Sequence, residues 1–230
     1  MLTSWNELPE WMKNEAVKEY YGILYNRRVR LSVKRIFDLT AAVVMFVLFS
    51  PVMLIISVAI LADSRGGILY RQERVTRDGK VFQIHKFRTM VKDADKLGAS
   101  VTTGDDVRIT KIGAVLRRYR LDELPQLLDV INGDMTFVGT RPEAVKYVKR
   151  YTPEMNATLL LPAGITSEAS IRFKDEANML RDADDVDEVY VRDVLPVKME
   201  YNLNSIRKFS LHGEFITMIR TVLAVMGMEF

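Results

Sequence analysis

The sequence predicts a mainly helical α+β fold joined to a membrane, and three features carry that expectation. From Leu39 to Ala62 no charged residue interrupts the chain, although Asp38 and Asp63 bound the run on either side. At about 1.5 Å per residue, such a run is long enough to cross a bilayer core. Two β-prone segments follow, Ile68 to Val75 and Val81 to Phe87, around Arg77-Asp78-Gly79, a sequence suited to a hairpin turn. Beyond Arg108 the apolar spacing becomes helical, and it is helical again at Phe215, Ile216, Ile219, Val222, Leu223 and Met226.

The first element, from about Ser4 to Tyr25, carries an apolar stripe of Trp5, Leu8, Trp11, Met12, Val17, Tyr20, Tyr21 and Leu24. An amphipathic helix of this kind packs equally well on a protein core or a membrane surface. The next segment is basic, with Arg27, Arg28, Arg30, Lys34 and Arg35 preceding the charge-free run. That run begins too late and is too long for the apolar region of a signal peptide. At its middle, Ser50-Pro51 removes a backbone donor and crowds the Val47 carbonyl, so a kink is expected. Either a kinked spanning helix or a re-entrant hairpin satisfies the composition. Arg65, Arg71, Arg74, Arg77 and Lys80 follow the run, so both flanks are basic and the positive-inside tendency favours a hairpin with both ends on the cytoplasmic side. The expected organisation is an amphipathic segment over 1–31, a membrane hairpin over 32–66, and a main domain over 67–230 with C-terminal amphipathic helices.

Composition excludes some chemistry. The 230 residues contain no cysteine, which rules out disulfides and thiolate metal sites and agrees with a reducing compartment. His85 and His212 stand in no metal-ligand spacing and read as ordinary structural residues. Neither a Walker A sequence nor Gly-x-Gly-x-x-Gly is present.

The stretch with the densest chemistry is RRYRLDELPQLLDVINGDMTFVGTRPE, Arg117 to Glu143. Asp122 and Glu123 are adjacent carboxylates among Arg117, Arg118, Arg120 and Arg141. Ion pairing on a solvated helix is the simplest reading. Pro125, however, puts Asp122 near a helix N-terminus, where exposed N–H groups would keep a carboxylate ionised and attract phosphate. An ionised Asp can attack phosphorus, and a neighbouring Glu is an oxygen ligand of the kind Mg²⁺ takes together with substrate phosphates. Arg141, presented by Gly139-Thr140-Arg141-Pro142, could clamp a phosphate. These residues suit metal-assisted phosphoryl transfer through an aspartyl intermediate. A different class also fits: RITKIGAVLRRYRLDELPQLLDVI has the outline of a basic helix-turn-helix, hence a membrane-tethered nucleic-acid-binding protein. Against it, Asp122, Glu123 and Asp129 on the second helix would repel a phosphate backbone.

Taken together, the basic leader with Lys34, Arg35 and Asp38, the run broken at Ser50-Pro51, KFRTM, RITKIG, LDELPQLLDVINGDMTFVGTRPE and AGIT strongly resemble the bacterial sugar transferase family, the monotopic small phosphoglycosyl transferases. The resemblance covers most of Ser32 to Thr166 and continues more weakly through Asn204 to Val222. It implies transfer of a sugar-1-phosphate from a UDP-sugar to a polyprenyl phosphate such as undecaprenyl phosphate, releasing UMP, in the initiating step of glycan or exopolysaccharide assembly. It also implies a re-entrant helix-break-helix at Ser50-Pro51 and a cytoplasmic catalytic domain on the bacterial inner membrane, working against membrane lipid with Mg²⁺ as cofactor and no nucleic-acid partner. Matched position by position, Asp122 resembles the family's nucleophile, Glu123 its Mg²⁺-binding partner, and Arg141 with Pro142 its nucleotide-binding turn. Lys86 and Arg88 resemble its basic pair, which meets phosphate or headgroups.

The sequence departs from the family pattern at Thr140 (usually proline), Thr76 (commonly glycine), and Ala163 and Ser167 (usually proline and glycine). From Ser167 to Val197 the chain is acidic and reads as solvated, with Arg172 and Lys174 as candidates for sugar selection. Apolar faces at both ends of the chain could serve lipid, core or a second copy of the chain, which leaves a homodimer open.

Overall fold

A computed structural model describes residues 1–94, 106–173 and 185–228. Two short 3-10 turns, Trp5–Glu7 and Glu10–Met12, lead to helix α1, Glu15–Asn26. Asn14 caps α1 by accepting the Val17 N–H at 2.9 Å. Leu8, Met12, Val17, Tyr20 and Leu24 are buried in one core with Leu159, Leu160, Leu203, Ile206 and Phe209. The N-terminal stripe therefore faces protein, while Trp11 and Tyr25 stay exposed.

Helix α2, Arg28–Asp63, is 36 residues long and keeps helical conformation through Pro51. It starts earlier than the expected membrane segment. Proline at this position leaves the Val47 carbonyl without its usual partner, and the Ser50 hydroxyl supplies one at 2.8 Å. Both ends of α2 are packed on the rest of the protein, through Leu31, Lys34, Asp38 and Ala42 and through Ile56 and Ile60. Its middle exposes Val43, Val44, Val47, Leu48, Val52, Leu54, Ile55 and Val58. An apolar surface of this extent suits lipid, since monomeric proteins in water rarely leave large contiguous apolar patches uncovered.

The hairpin forms where the sequence indicates. Strands β1, Leu69–Val75, and β2, Val81–Phe87, pair antiparallel from Leu69↔Phe87 to Val75↔Val81. Asp78 and Gly79 take positive φ at the turn (59° and 75°). Helix α3, Lys111–Arg118, is capped by Thr110, and Asp63 at the end of α2 accepts the Ile112 N–H at 2.9 Å. A 3-10 turn, Leu121–Glu123, precedes helix α4, Gln126–Asn132, which ends at Gly133 with φ 88°. Strand β3, Met135–Val138, pairs parallel with β4, Ala163–Thr166. Ser167 caps the short helix α5, Glu168–Arg172. The chain then runs through a π turn, Tyr190–Val194, into helix α6, Leu195–Arg207, and ends in helix α7, Leu211–Val225.

This arrangement removes the nucleic-acid reading. In α4 the residues Gln126, Leu127, Asp129 and Val130 are buried against neighbouring elements and only Asn132 is exposed, so α4 has no free face to enter a groove.

Candidate active site

The acid pair occupies the 3-10 turn just ahead of α4, following Arg120, whose φ of 56° reverses the chain after α3. Pro125 immediately precedes the first α-helical residue, as the sequence suggests. Two long-range contacts complete the site. Lys86, near the end of β2, reaches Glu123 Oε1 at 2.8 Å, and Arg141 Nη2 donates to the same oxygen at 2.5 Å. Arg141 Nη1 also donates to the Ile165 carbonyl at 3.2 Å. The arginine turn is held from behind by Gly139 N–H to Thr166 O at 3.0 Å, Gly164 N–H to Thr140 O at 2.8 Å and Val75 N–H to Glu143 O at 3.0 Å. A Cβ on Gly164 would fall 2.2 Å from the Gly139 carbonyl oxygen, so only glycine allows β4 to approach the turn this closely.

Asp122 is buried at 8% exposure, and its Oδ1 has no hydrogen-bond partner. Burial, and then the charge of Glu123, push its carboxyl above the usual aspartate range, against the pull of Lys86, Arg117 and Arg120. For Glu123, burial alone would raise the pKa, but Arg141 and Lys86 together outweigh it and hold the carboxyl well below the usual range. Helix α4 spans only seven residues, and of the two acids it is Glu123 whose carboxyl is held below its usual range. Burial lowers the Lys86 pKa, with Glu123 resisting, and Arg141 is raised above its ordinary value chiefly by Glu123.

The other sequence candidates separate. Arg88 does not join Lys86 at the acid pair; it donates to the Ser64 and Arg65 carbonyls at 2.7 and 2.8 Å and so caps the end of α2. Lys34 lies 3.4 Å from Asp38 and also pairs with Glu214 of α7, while Thr136 of β3 donates to Asp38. Arg35 donates to the Val130 and Ile131 carbonyls at 2.7 and 3.1 Å, which fastens the C-terminal end of α4 to α2. Pro142 sits in the arginine turn, and Ser50 and Pro51 lie in the exposed middle of α2. His85 has the structural role expected of it: its N–H and Nδ1 both engage Asp129, at 3.0 and 2.6 Å. Arg172 pairs with Glu168 at 3.3 Å and stacks over Tyr201, whereas Lys174, Asp175, Glu176 and Asp182 lie outside the described residues.

Among the described residues no group of three or more His, Cys, Asp or Glu gathers as a metal cage. Two adjacent carboxylates, one with an unpaired buried oxygen, match the sparse protein contribution that Mg²⁺ accepts when phosphates and water complete its shell. Sequence reasoning missed Gln126, fully buried with neither amide atom paired and four residues after Asp122, and it missed Glu143 with its partners Tyr190 and Lys198. A polar residue inside an apolar helix pattern is the only sign Gln126 offers.

Fold and site thus define a protein with one helix long and apolar enough to cross a membrane, packed at both ends on a body that holds a buried acid pair braced by two cations. The chain belongs to the bacterial sugar transferase family, whose profile matches residues 29–228. It is 32% identical over 208 residues to the UDP-N-acetylgalactosamine-undecaprenyl-phosphate N-acetylgalactosaminephosphotransferase of Aeromonas hydrophila, covering 89% of this chain and 46% of that protein. It is 39% identical over 125 residues to a putative undecaprenyl-phosphate N-acetylgalactosaminyl 1-phosphate transferase of Bacillus subtilis, covering 54% of this chain and 70% of that one. A UDP-glucose:undecaprenyl-phosphate glucose-1-phosphate transferase of Escherichia coli is 34% identical over 194 residues, covering 82% of this chain and 39% of the relative. The chain therefore spans less than half the length of two of these curated relatives.

Proposed function

We propose that the protein is a phosphoglycosyl transferase that moves a sugar-1-phosphate from a UDP-sugar to a polyprenyl phosphate by double displacement at Asp122. The observation that carries this reading is the contrast within the acid pair: Glu123 is held by Lys86 and Arg141, while Asp122 keeps an oxygen without a partner. In the first step an Asp122 carboxylate oxygen attacks the β-phosphorus, the bond from that phosphorus to the bridging oxygen breaks, and UMP leaves with the bond's electrons. In the second, an oxygen of the lipid phosphate attacks the same phosphorus and the aspartyl–phosphorus bond breaks, which restores the carboxylate. The raised pKa of Asp122 makes its ionised form a stronger nucleophile than an ordinary aspartate. Arg141 and Lys86 supply positive charge where the donor's phosphates bind, and Arg117 and Arg120 also act electrostatically on Asp122. Asp122 and Glu123 would hold Mg²⁺, which when bound neutralises phosphate charge.

The path of α2 fits the lipid acceptor. Arg35 is bonded to α4 and Asp63 to α3, two elements joined by a short turn. A straight crossing would separate those ends by a bilayer core of about 30 Å. Attachment of both ends to one body supports a re-entrant path with the domain on the cytoplasmic face, where a polyprenyl tail stays in lipid and its phosphate meets Asp122.

The test is UMP release by the purified protein in detergent with a panel of UDP-sugars, polyprenyl phosphate and Mg²⁺. Release that requires lipid phosphate and metal is expected, with a covalent phosphosugar adduct on the wild type and none on Asp122→Asn. Turnover retained in that variant would eliminate the aspartyl intermediate.

A further inference from the structure

Two residues past Arg141 lies a second buried polar cluster to which the proposed chemistry assigns no part. Glu143 Oε1 accepts a hydrogen bond from the Tyr190 hydroxyl at 2.6 Å; Lys198 Nζ lies 3.4 Å from that oxygen and 2.9 Å from the tyrosine oxygen. All three residues are buried, at 7%, 2% and 6% exposure. Arg74, on the neighbouring strand β1, also interacts electrostatically with Glu143: burial lowers its pKa and the Glu143 charge resists. Glu143 is thus the anion that Arg74 and Lys198 share.

The backbone is shaped to make this cluster. Residues eight apart on a regular α-helix point about 80° away from one another. Tyr190 opens a π turn ahead of Pro196, which has no N–H to continue the α-helical ladder. The residue absorbed by the π turn reduces that divergence to about 20°, so Tyr190 and Lys198 both reach Glu143. Buried ion pairs add little net stability over apolar packing of the same volume, so stability alone is a poor account of this cluster.

Its place in the fold supplies a better one. Backbone bonds at Gly139 and Thr140 hold the arginine turn on one side, and Glu143, fixed by its main chain to Val75 and by its side chain to Tyr190 and Lys198, holds it on the other. Only Arg141 and Pro142 lie between these clamps. We propose that Tyr190 and Lys198 are positioning residues that act through Glu143 to aim Arg141 at the phosphates of the nucleotide donor. This rests on the reading of Arg141 as a phosphate-binding residue. It also gives the segment after Asp185 a task, as the wall that sets the donor side of the site while leaving the lipid side alone.

The experiment measures UDP affinity by titration calorimetry and steady-state KM for donor and lipid acceptor separately, in the full chain in detergent. Tyr190→Phe and Lys198→Met should each weaken UDP binding and raise donor KM by about 5-fold, on the scale of one ordinary hydrogen bond, with acceptor KM unchanged. Lys198→Arg, which keeps the charge, should recover most of the loss. In an Arg141→Gln background Tyr190→Phe should weaken UDP binding no further. A lower unfolding temperature with unchanged UDP affinity in both variants, or an undiminished effect of Tyr190→Phe without Arg141, overturns the positioning proposal alone. If Arg141→Gln itself binds UDP as tightly as wild type, the reading of Arg141 is what fails. Should Tyr190→Phe not fold, Lys198→Met and Lys198→Arg decide the same question.

Discussion

Two buried charge clusters, one joining α2 to β3 and α7 and one in the turn ahead of α4, face different tasks. In the first, Lys34 is paired with Asp38 and Glu214, and Asp38 also accepts from Thr136, so each acid has a partner. In the second, Glu123 has two cationic partners, but Asp122 Oδ1 has none. Leaving a buried carboxylate oxygen unpaired costs about 1–3 kcal/mol or more, so a fold selected for stability alone would have closed it. The first cluster locks α2 to β3 and α7; the second stays open at Asp122.

The comparison can be broken most sharply at Asp122. Asp122→Asn should lower turnover by about 1,000-fold or more, the order seen when a nucleophile is lost, yet remain folded. Its stability should even rise near neutral pH. An acid whose folded pKa is raised loses stability as pH rises through that pKa, so removing the charge helps most above it, and the gain should vanish as pH falls below the ordinary carboxylate range. Thermal unfolding of both proteins across pH checks the sign.

Glu123→Gln should behave oppositely, because it leaves Lys86 and Arg141 buried without their counter-charge. A loss on the order of 3 kcal/mol is expected at neutral pH. The wild-type contribution is present above the ordinary glutamate pKa and fades as pH falls through the depressed folded value, so the two unfolding curves should converge in acid. Activity should fall with a weakened Mg²⁺ response, and an unchanged metal response would remove Glu123 from the ligand set.

At the closed cluster, Asp38→Asn should also cost on the order of 3 kcal/mol, since Lys34 and Thr136 lose the acid they share. Here, however, UDP affinity of the folded fraction should stay at the wild-type level. A specific loss of nucleotide binding would show that the two clusters are not separable.

The smallest effect concerns two departures from the family pattern. Thr76 Oγ1 accepts from the Ala163 N–H at 3.0 Å and donates to the Asp134 carbonyl at 2.5 Å. A glycine at the first position has no hydroxyl and a proline at the second has no N–H, so these residues add an acceptor and a donor to the same bond. Thr76→Gly and Ala163→Pro should therefore be non-additive, with a coupling of about 1 kcal/mol in denaturant unfolding. Strict additivity would mean that the bond contributes nothing.

Much was legible in sequence because it depends on residues close together in the chain. The charge-free run, the hairpin around Arg77-Asp78-Gly79 and the acid pair ahead of Pro125 are local patterns, and the apolar part of α2, β1, β2 and the turn before α4 stand where those patterns indicate, whereas the expected kink at Ser50-Pro51 does not divide α2, which stays one helix from Arg28 to Asp63. The Lys86–Glu123–Arg141 brace was not legible, since it joins positions 37 and 18 residues apart through β2 and the turn after β3. Nor was Lys34–Glu214, 180 residues apart. Nor were the partners of Arg88, since the fold brings the carbonyls at the end of α2, 23 and 24 residues away, within its reach.

By itself, then, the sequence determined the chemical types and much of their local conformation: a long apolar helix, and an aspartate beside a glutamate among arginines. Which of the two acids became the braced anion and which kept a free oxygen was decided by tertiary structure alone. Both carboxyls have nearly the same pKa and reach in water; they diverge only when burial removes solvent from both and places cations against one oxygen of Glu123.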